Sequence, residues 1–599
     1  MTTYLPAFDT IETMASELGI KILKTDTCRP KWPINPPTSR LLPVGHVKEA
    51  GRRAFSTATH FEHNHVFTLR DGVKLRADIF RPATDAPVPA IVMWSPYGKS
   101  GSGKLGLDGA ALRVGVPKAK QSGYESFEGL DPAEWVPRGY AIVNVDARGA
   151  GDSKGDLRWW GSGEGKDGHD FVQEISVQPW CSGRVALAGN SWLAMSQWFI
   201  AAEHPSHLAA IAPLEGAADV LRETFARGGI PAVAFSKMIQ SILPGRQRQE
   251  DTAAMFAQDP NMNAYWDDKR ADFSKIRVPA YILGSYSTNL HTLGAFRAFE
   301  EITHDKKWFT THTTQEWYDL YSEERTEDLC RFFDFYLKDT QNGWEQTPPV
   351  RLSVLGFNLP HETLSLMQFP WTTPGSKTLK LHLRPDQTMT TTAQSQQSNE
   401  PTVLSYQADA PTMNRDDADG ELLFKYTFTE KMIVAGPSKV VLTLSAEKQD
   451  DLDVYVMLRK MDAQGRILQN INQPLSDLGV VSTDEVPSVS VLKYLGPEGM
   501  LRASRRALAP ELSKPWWGTL SHAREEHIPR GDTIELEIFL WPTGMIFESE
   551  ESIILKVAGH DMRLVDFEHL QGSFQVSNEG KHFVHVGGGN NNFVELNLL

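Results

Sequence analysis

The stretch VALAGNSWLAMSQWF, Val185–Phe199, contains the turn on which the fold depends. Its apolar run ends at Gly189, and a helical pattern begins directly after Ser191. A sharp turn here would expose the Ser191 hydroxyl at the end of a strand, surrounded by the first N–H groups of the next helix. The general pattern Gly-x-Ser-x-Gly is matched imperfectly, because Leu193 stands at the second glycine position. A plain strand-to-helix connection with a serine cap would also fit these letters.

Other apolar runs place this turn in a larger sheet. A β-hairpin is predicted over HVFTLRDGVKLRADIFRP (65–82), because Asp-Gly is a favoured turn pair between two β-rich runs. Short continuous apolar runs, typical of strands buried on both faces, occur in PAIVMWSPYG (89–98), YAIVNVDARGAGDSKG (140–155) and VPAYILGSYS (278–287). Helical patterns lie between them, which indicates a parallel sheet covered on both faces. In such sheets the functional site lies at the carboxyl ends of the strands.

The pattern of predicted helices and strands changes at three places along the chain, which suggests several domains. A length of 599 residues also suggests more than one domain. We expect a Pro-rich N-terminal arm over 1–60 and a helical cap over 217–275, where the alternation of strands and helices is interrupted. The α/β core would comprise 61–216 and 276–343. From 344 to 599, short alternating strands predict an antiparallel β-sandwich or jelly roll.

The composition of the chain argues against some classes of partner and location. The net charge of −15 argues against nucleic acid or an anionic membrane as the main partner. The three cysteines lie far apart, no run of about 18 apolar residues occurs, and the first residues have no signal-peptide pattern. We therefore expect a cytoplasmic protein that acts on a small molecule, with a homodimer as the default assembly. No metal-binding or cofactor motif is found.

Taken together, the motifs resemble those of the cocaine esterase and X-prolyl dipeptidyl peptidase family of α/β-hydrolases, the CocE/NonD hydrolases. The similarity covers most of the chain after residue 60, and its order and spacing make it specific. Its motifs in this chain are LRDGVKLRADIFRP, SPYGK, VDARGAGDSKG, GNSWLA, CRFFDFYLK and, in the C-terminal part, LDVYVMLRKMDAQGR, RASRRAL and WPTGMIFESEESIILKVAG. The resemblance implies an α/β-hydrolase domain with a helical cap, followed by a jelly-roll domain of the galactose-binding-like type.

The resemblance also implies catalytic roles. Ser191 would attack an acyl carbonyl, and the resulting oxyanion would be held by the backbone N–H of Trp192 and the hydroxyl of Tyr97. This requires the Ser191 and Tyr97 hydroxyls to meet at the carboxyl edge of the sheet, beneath the cap.

The acid and the base depart from the family's pattern. The position of the family's Asp holds Ser287, and no carboxylate lies between 277 and 299. The position of the family's His falls near Gln315 or Glu316, and the histidine in that loop is His312. His312 is therefore the candidate base.

Glu316 is the candidate acid, with Asp319 as an alternative. His291 could also turn toward the serine, although in the family's pattern it packs structurally.

Three functions remain open at this point. The first is a serine hydrolase of an ester or amide. The second is a lyase, isomerase, cyclase or acyl-transfer enzyme of small-molecule biosynthesis that uses the same pocket. The third is a non-catalytic binding protein. For either enzyme, the residues predicted to bind a partly apolar substrate are Trp94, Tyr124, Phe235, Tyr286 and His291.

Overall fold

The computed structural model describes residues 18–288, 290–373, 375–392, 401–410, 420–565 and 574–599. The first 17 residues of the predicted arm lie outside this range. Within it, Lys24–Asp26 pairs with the strand Arg248–Glu250, and Thr38–Leu42 joins the edge of the first large sheet. The described part of the arm thus adds strands to the rest of the molecule.

The first large sheet has eleven strands, and its centre is parallel. The predicted hairpin is present, with Thr59–Thr68 paired to Lys74–Pro82 and Gly72 at a φ of 82° in the turn. The parallel strands, in order across the sheet, are Ala141–Asp146, Val88–Ser95, Cys181–Asn190, Leu208–Leu214, Ala280–Ser285, Lys307–His312 and Val350–Val354. The antiparallel edge strand beyond Val350–Val354 is Glu362–Leu366.

The central strands of this sheet are buried along nearly their whole length because helices cover it. The helices that pack against the sheet or against one another beside it are Gly161–Ser176, Trp192–Ala202, Thr292–Glu301 and Glu323–Lys338. Trp192–Ala202 is buried on almost all sides, as its apolar sequence requires. The prediction of an α/β core with a parallel sheet is confirmed.

Two irregular segments lie above the carboxyl ends of the strands. The segment 217–275 is mainly helical and contains Leu221–Phe225, Arg227–Gly229, Ala234–Ile242, Thr252–Gln258, Ala264–Asp268 and Phe273–Lys275. The insertion 99–138 consists of short turns and contains Lys99–Gly101, Leu107–Gly109, Ala111–Gly115, Lys118–Lys120, Pro132–Trp135 and Val136–Arg138. Both segments contribute residues to the cavity described below.

The C-terminal part is an all-β domain, as predicted, with its own apolar core. Its sheet nearly closes on itself, because the N–H of Lys425 donates to the Gln387 carbonyl at 3.0 Å across the gap between its outer strands. Its eleven strands are Thr378–Leu383, Met389–Thr390, Thr402–Gln407, Glu421–Thr427, Met432–Ala446, Asp453–Met461, Glu498–Arg502, Ile534–Phe547, Ser552–Ala558, Lys581–Val586 and Phe593–Asn597.

Smaller elements connect these layers. The short strands Asn470–Ile471 and Lys493–Tyr494 pair with each other. The remaining helical turns are Glu316–Leu320, Trp344–Gln346, Pro370–Thr372, Leu475–Leu478, Thr483–Glu485 and Ala503–Arg505.

The two domains share an interface. The Arg227 guanidinium lies over the Trp541 ring at 3.8 Å and donates to the Glu498 carbonyl at 2.6 Å. Among the helices of the described residues, none is both long and apolar enough to span a membrane.

Candidate active site

Ser191 lies in a strained turn between the strand Cys181–Asn190 and the helix Trp192–Ala202. Its backbone has φ 55° and ψ −119°, a conformation that costs a non-glycine residue about 1–3 kcal/mol. The surrounding structure holds it in place, because the Ser191 N–H donates to the Glu215 carbonyl at 2.9 Å. The turn lifts the side chain off the strand. A nucleophile turn, one of the two interpretations of the sequence, requires this.

Two small residues make room for this turn. Gly189 has a φ of 126°, and a Cβ there would lie 2.7 Å from the Cβ of Leu193. The helix lacks the usual second glycine, but Gly216 approaches it from the neighbouring loop. A Cβ on Gly216 would lie 3.0 Å from the Cβ of Ala194. Gly216 therefore allows the close packing for which many such turns use a glycine of their own.

Tyr97 meets Ser191 at the carboxyl edge of the sheet, as predicted. The two side chains line the same cavity and its adjoining space. The Tyr97 ring makes edge contacts with Phe127 and Trp192, whose ring centroids lie 5.4 and 6.3 Å away. Burial and the neighbouring Glu128 raise the pKa of Tyr97 well above its ordinary value, so the phenol keeps its proton. A buried neutral phenol is a suitable hydrogen-bond donor to an oxyanion.

Trp192 offers a second donor. It is the first residue of its helix, where backbone N–H groups have no acceptor within the helix. Its ring is buried, and the indole N–H donates to Glu164 Oε1 at 3.2 Å. The ring thus fixes the start of the helix while the backbone remains at the site.

Glu128 is the residue that sequence reasoning missed. Its carboxyl faces the hydroxyls of both Ser191 and Tyr97, and it accepts a hydrogen bond from the Trp317 indole at 3.2 Å. Its backbone has a φ of 67°, and its carbonyl accepts from the Asn190 N–H at 3.0 Å. The insertion that carries Glu128 is therefore joined directly to the nucleophile turn. We call Tyr97, Glu128 and Ser191 the elbow cluster.

Electrostatics keep Glu128 protonated to an unusually high pH. Burial raises its pKa well above the ordinary value, and the nearby Glu316 carboxylate raises it further. Hydrogen bonds from Trp317, Tyr97 and Ser191 oppose the shift without cancelling it. A carboxyl group with a raised pKa beside a candidate nucleophile is typical of acid–base sites.

The other wall of the site is formed by Ser287, Gln315 and Glu316. These residues stand at or near the positions of the family's Asp and His. Ser287 donates from its hydroxyl to the Thr314 carbonyl at 2.9 Å, and Gln315 caps the helix Glu316–Leu320 by accepting from Trp317 N–H at 2.7 Å. Glu316 faces the cavity and forms an ion pair with His291, with Oε2 and Nδ1 3.3 Å apart.

His312 forms a separate cluster with three other buried side chains. Its Nε2 lies 2.5 Å from Glu215 Oε1, and its Nδ1 lies 3.1 Å from Thr314 Oγ1 and 3.8 Å from Asp319. The other Glu215 oxygen accepts from the Ser285 hydroxyl at 2.7 Å. We call Glu215, Ser285, His312 and Asp319 the ion-pair cluster.

The charge of His312 corrects its predicted role. Burial lowers its pKa, but the Asp319 and Glu215 carboxylates outweigh burial and raise it overall. These carboxylates favour the charged imidazolium, the form that has no lone pair with which to accept a proton. His312 is also not among the residues that line the cavity at Ser191. The geometry therefore assigns it to an internal ion pair, with Asp319 as part of the same cluster.

One group of potential metal ligands shares Glu215 with the ion-pair cluster. Within the described residues, single ligand atoms of Glu215, His291 and Glu316 lie within 4.8 Å of one another. Both oxygens of Glu215 already bind protein side chains, those of His312 and Ser285. A cation would have to displace these partners, so we derive no metal-dependent step.

The elbow cluster opens into a largely apolar cavity. Its walls come from both segments above the sheet and from the C-terminal domain, which contributes Ser490 and Val491. An adjoining space of about 430 Å³ extends past Ser191 toward Trp159 and Trp160. The apolar side chains of the main cavity are Leu105, Phe127, Phe235, Met238, Ile239, Leu290, Trp317 and Val491.

The structure separates the predicted substrate-binding residues into two groups. Phe235 and His291 line the cavity. The other three lie elsewhere. Trp94 is buried with its indole N–H on Glu164 at 2.7 Å, Tyr124 has its hydroxyl 3.0 Å from His46 Nε2, and Tyr286 is buried against Gly544 of the C-terminal domain. Their burial in these contacts corrects the expectation that they touch substrate.

Comparison with known proteins agrees with this architecture. Residues 71–317 match the family model of the X-Pro dipeptidyl-peptidase (S15 family), and residues 342–595 match that of the X-Pro dipeptidyl-peptidase C-terminal non-catalytic domain. The chain is 33% identical to the cocaine esterase of Rhodococcus sp. (strain MB1 Bresler) over 159 residues. That match covers 26% of this chain and 24% of the esterase, so it spans about a quarter of the curated relative.

Solved structures are similar over nearly the whole chain. A CocE/NonD family hydrolase from Staphylococcus aureus superposes with a TM-score of 0.80 at 26% identity, covering 93% of this chain and 99% of the other. An alpha-amino acid ester hydrolase superposes with a TM-score of 0.65 at 14% identity over 97% and 98% of the two chains, which shows a shared fold.

A strained serine between strand and helix, at the carboxyl edge of a mainly parallel sheet, defines an α/β-hydrolase. The helical segment above that edge and the all-β domain after it narrow the class further. The chain belongs to the CocE/NonD, X-prolyl dipeptidyl-peptidase-like family of α/β-hydrolases.

Proposed function

We propose that this protein is a serine hydrolase that cleaves an ester or amide of a small, partly apolar substrate. One observation carries the proposal: the Ser191 hydroxyl sits on a strained turn beside the protonated Tyr97 phenol, at the end of an open apolar cavity. This arrangement supports the proposal that Ser191 acts as nucleophile and Tyr97 as oxyanion donor on one carbonyl group.

The proposed reaction follows from that placement. Ser191 Oγ attacks the acyl carbon, and the carbonyl oxygen becomes an oxyanion between the Tyr97 hydroxyl and the Trp192 N–H. These donors are held in place before the substrate arrives, since Tyr97 is packed between rings and Trp192 begins a buried helix. Such fixed donors lower the barrier because they need no reorganisation as charge develops.

The cavity supports a substrate with an apolar part. Phe127, Phe235, Met238 and Ile239 form apolar walls around Ser191, and burying an apolar side chain of similar size contributes about 1.5–3 kcal/mol. His291 and Glu316 provide the polar wall. We propose that His291 binds a polar group of the substrate there.

A second candidate function is an enzyme of the same pocket that does not hydrolyse its substrate. The observation that favours it is that the Glu128 carboxyl faces the Ser191 hydroxyl. A protonated buried carboxyl beside an oxyanion site suits proton transfer in a lyase or isomerase as well. In that case Ser191 would only position substrate.

Covalent labelling and turnover distinguish the two candidates. The protein is incubated with a fluorophosphonate probe and assayed on p-nitrophenyl esters from acetate to octanoate. Hydrolysis predicts a label on Ser191 and a loss of kcat/KM of about 10⁴-fold or more in Ser191→Ala. Ser196→Ala is the matched control, because this serine lies on the same helix and donates to the Trp192 carbonyl at 3.0 Å.

Two results would refute hydrolysis through Ser191. One is an unlabelled Ser191 in protein that turns over substrate. The other is turnover in Ser191→Ala within about tenfold of the parent, which would favour the second candidate.

A further inference from the structure

The hydroxyl of a serine nucleophile needs a neighbouring base, and in this structure its neighbours can be named. Tyr97 and Glu128 line the cavity beside Ser191, and the Ser191 hydroxyl lowers the pKa of each of them. Tyr97 is a protonated phenol and cannot accept a proton. Glu128 is the neighbour of Ser191 that can accept a proton, in its ionised form.

We propose that Glu128 is the general base of this enzyme and takes the place of the family's histidine. The proposal rests on the proposed function, since a base is needed only if Ser191 attacks the substrate. It stands on geometry: Glu128 is fixed to the turn by the hydrogen bond from Asn190 N–H at 3.0 Å, and its carboxyl is oriented by Trp317 at 3.2 Å.

The proton path is short. As Ser191 Oγ forms a bond to the acyl carbon, its proton passes to the Glu128 carboxylate, and the carbonyl π electrons move to the oxygen. When the tetrahedral intermediate collapses, the protonated Glu128 gives that proton to the leaving alkoxide or amine. Water then repeats the sequence on the acyl-enzyme, with Glu128 accepting the water proton and returning it to Ser191. No other co-reactant is required.

The surroundings of Glu128 make it a stronger base than an exposed glutamate. Burial and the Glu316 carboxylate raise its pKa, and a base of higher pKa accepts a serine proton more readily. Glu316 thus increases the basicity of Glu128 through its charge. The same shift leaves less of Glu128 ionised at low pH, so activity should rise with pH.

Both nearby histidines lie against carboxylate side chains. The His312 imidazolium is held between Glu215 and Asp319. His291 Nδ1 lies 3.3 Å from Glu316 Oε2, and both residues line the cavity.

Glu128→Gln tests the proposal, because glutamine keeps the size of the side chain but cannot accept the proton. The readout is the pre-steady-state acylation rate with p-nitrophenyl acetate from pH 4 to 10. We expect a loss of about 10²–10⁴-fold and the disappearance of the acidic limb of the pH profile. Glu125→Gln is the matched control: Glu125 lies three residues earlier, is also buried, has a pKa raised to about 8 by burial and Asp131, and accepts from Gly123 N–H at 2.8 Å.

Two further variants give readouts that a structural role would not move. Glu128→Ala should recover acylation on addition of formate, which restores a carboxylate in the space vacated. Glu316→Gln removes the neighbouring charge, so the pKa of Glu128 falls and the acidic limb shifts to lower pH.

The inference is overturned if Glu128→Gln acylates at the parent rate with the parent pH profile, or if His291→Gln removes the acidic limb while Glu128→Gln retains it. It is also overturned if Glu128→Ala folds, measured by its Tm, and formate leaves it inactive. Failure of the proposed function differs from these results, because the parent protein itself would then form no acyl-Ser191.

Discussion

The elbow cluster and the ion-pair cluster lie at the same edge of the same sheet, yet their charges are arranged in opposite ways. In the ion-pair cluster the two groups favour each other's charged form, since the pKa of Glu215 is lowered by His312 against the effect of burial and the pKa of His312 is raised by Asp319 and Glu215. In the elbow cluster, burial raises the pKa values of Glu128 and Tyr97, which favours their neutral forms.

The difference teaches how to distinguish a structural cluster from a reactive one. In the ion-pair cluster, His312 meets two carboxylates and is not among the residues that line the cavity. Neutral acids with raised pKa values, beside a nucleophile and a cavity, can exchange protons during a reaction. A histidine near the expected place in the chain is therefore a weaker sign of catalysis than a carboxyl group in contact with the serine.

The largest expected effect concerns the stability of the ion-pair cluster. His312→Gln leaves the buried Glu215 carboxylate without its cation, and breaking a buried pair in this way costs about 3–5 kcal/mol. Scanning calorimetry should show a clearly lower Tm, while His527→Gln, at a half-exposed histidine, should leave Tm unchanged. A His312→Gln protein of unchanged Tm that no longer acylates Ser191 would reverse the comparison and make His312 the base.

The next effect concerns the oxyanion donor. Tyr97→Phe removes one hydroxyl from the site, and loss of one such donor lowers kcat by about 10²–10³-fold. KM and Tm should change little. Tyr124→Phe is the control, because its hydroxyl meets His46 instead of Ser191. Equal kcat losses in both variants would show that Tyr97 acts through packing alone.

The smallest effect sharpens the account of Glu128. Trp317→Phe removes the indole hydrogen bond that lowers the pKa of Glu128, so the acidic limb of kcat/KM should move to higher pH. A hydrogen bond contributes about 0.5–1.5 kcal/mol, so the loss on that limb should stay near or below tenfold. Trp308→Phe loses a bond of the same length to the Thr347 carbonyl and should shift nothing. A limb that is unmoved by Trp317→Phe would mean that another group titrates there.

Much of the fold follows from local sequence, but the arrangement of the site does not. The parallel strands are visible as apolar runs, and the turn at Ser191 follows from its flanking pattern. Glu128 lies in an irregular insertion without periodicity, and its place depends on a left-handed backbone and a bond to Asn190. The pairing of Glu215 with His312 joins residues 97 positions apart, which one sequence cannot reveal.

Ser490 and Val491 come from the C-terminal domain, yet they form part of the wall of the cavity that holds Ser191. Both domains therefore contribute side chains to the surface that a substrate in this cavity would contact. Exchange of the C-terminal stretch between relatives would alter which molecules are admitted while leaving the bond-breaking groups untouched. Such recombination offers evolution a route to new substrates that avoids the strained turn altogether.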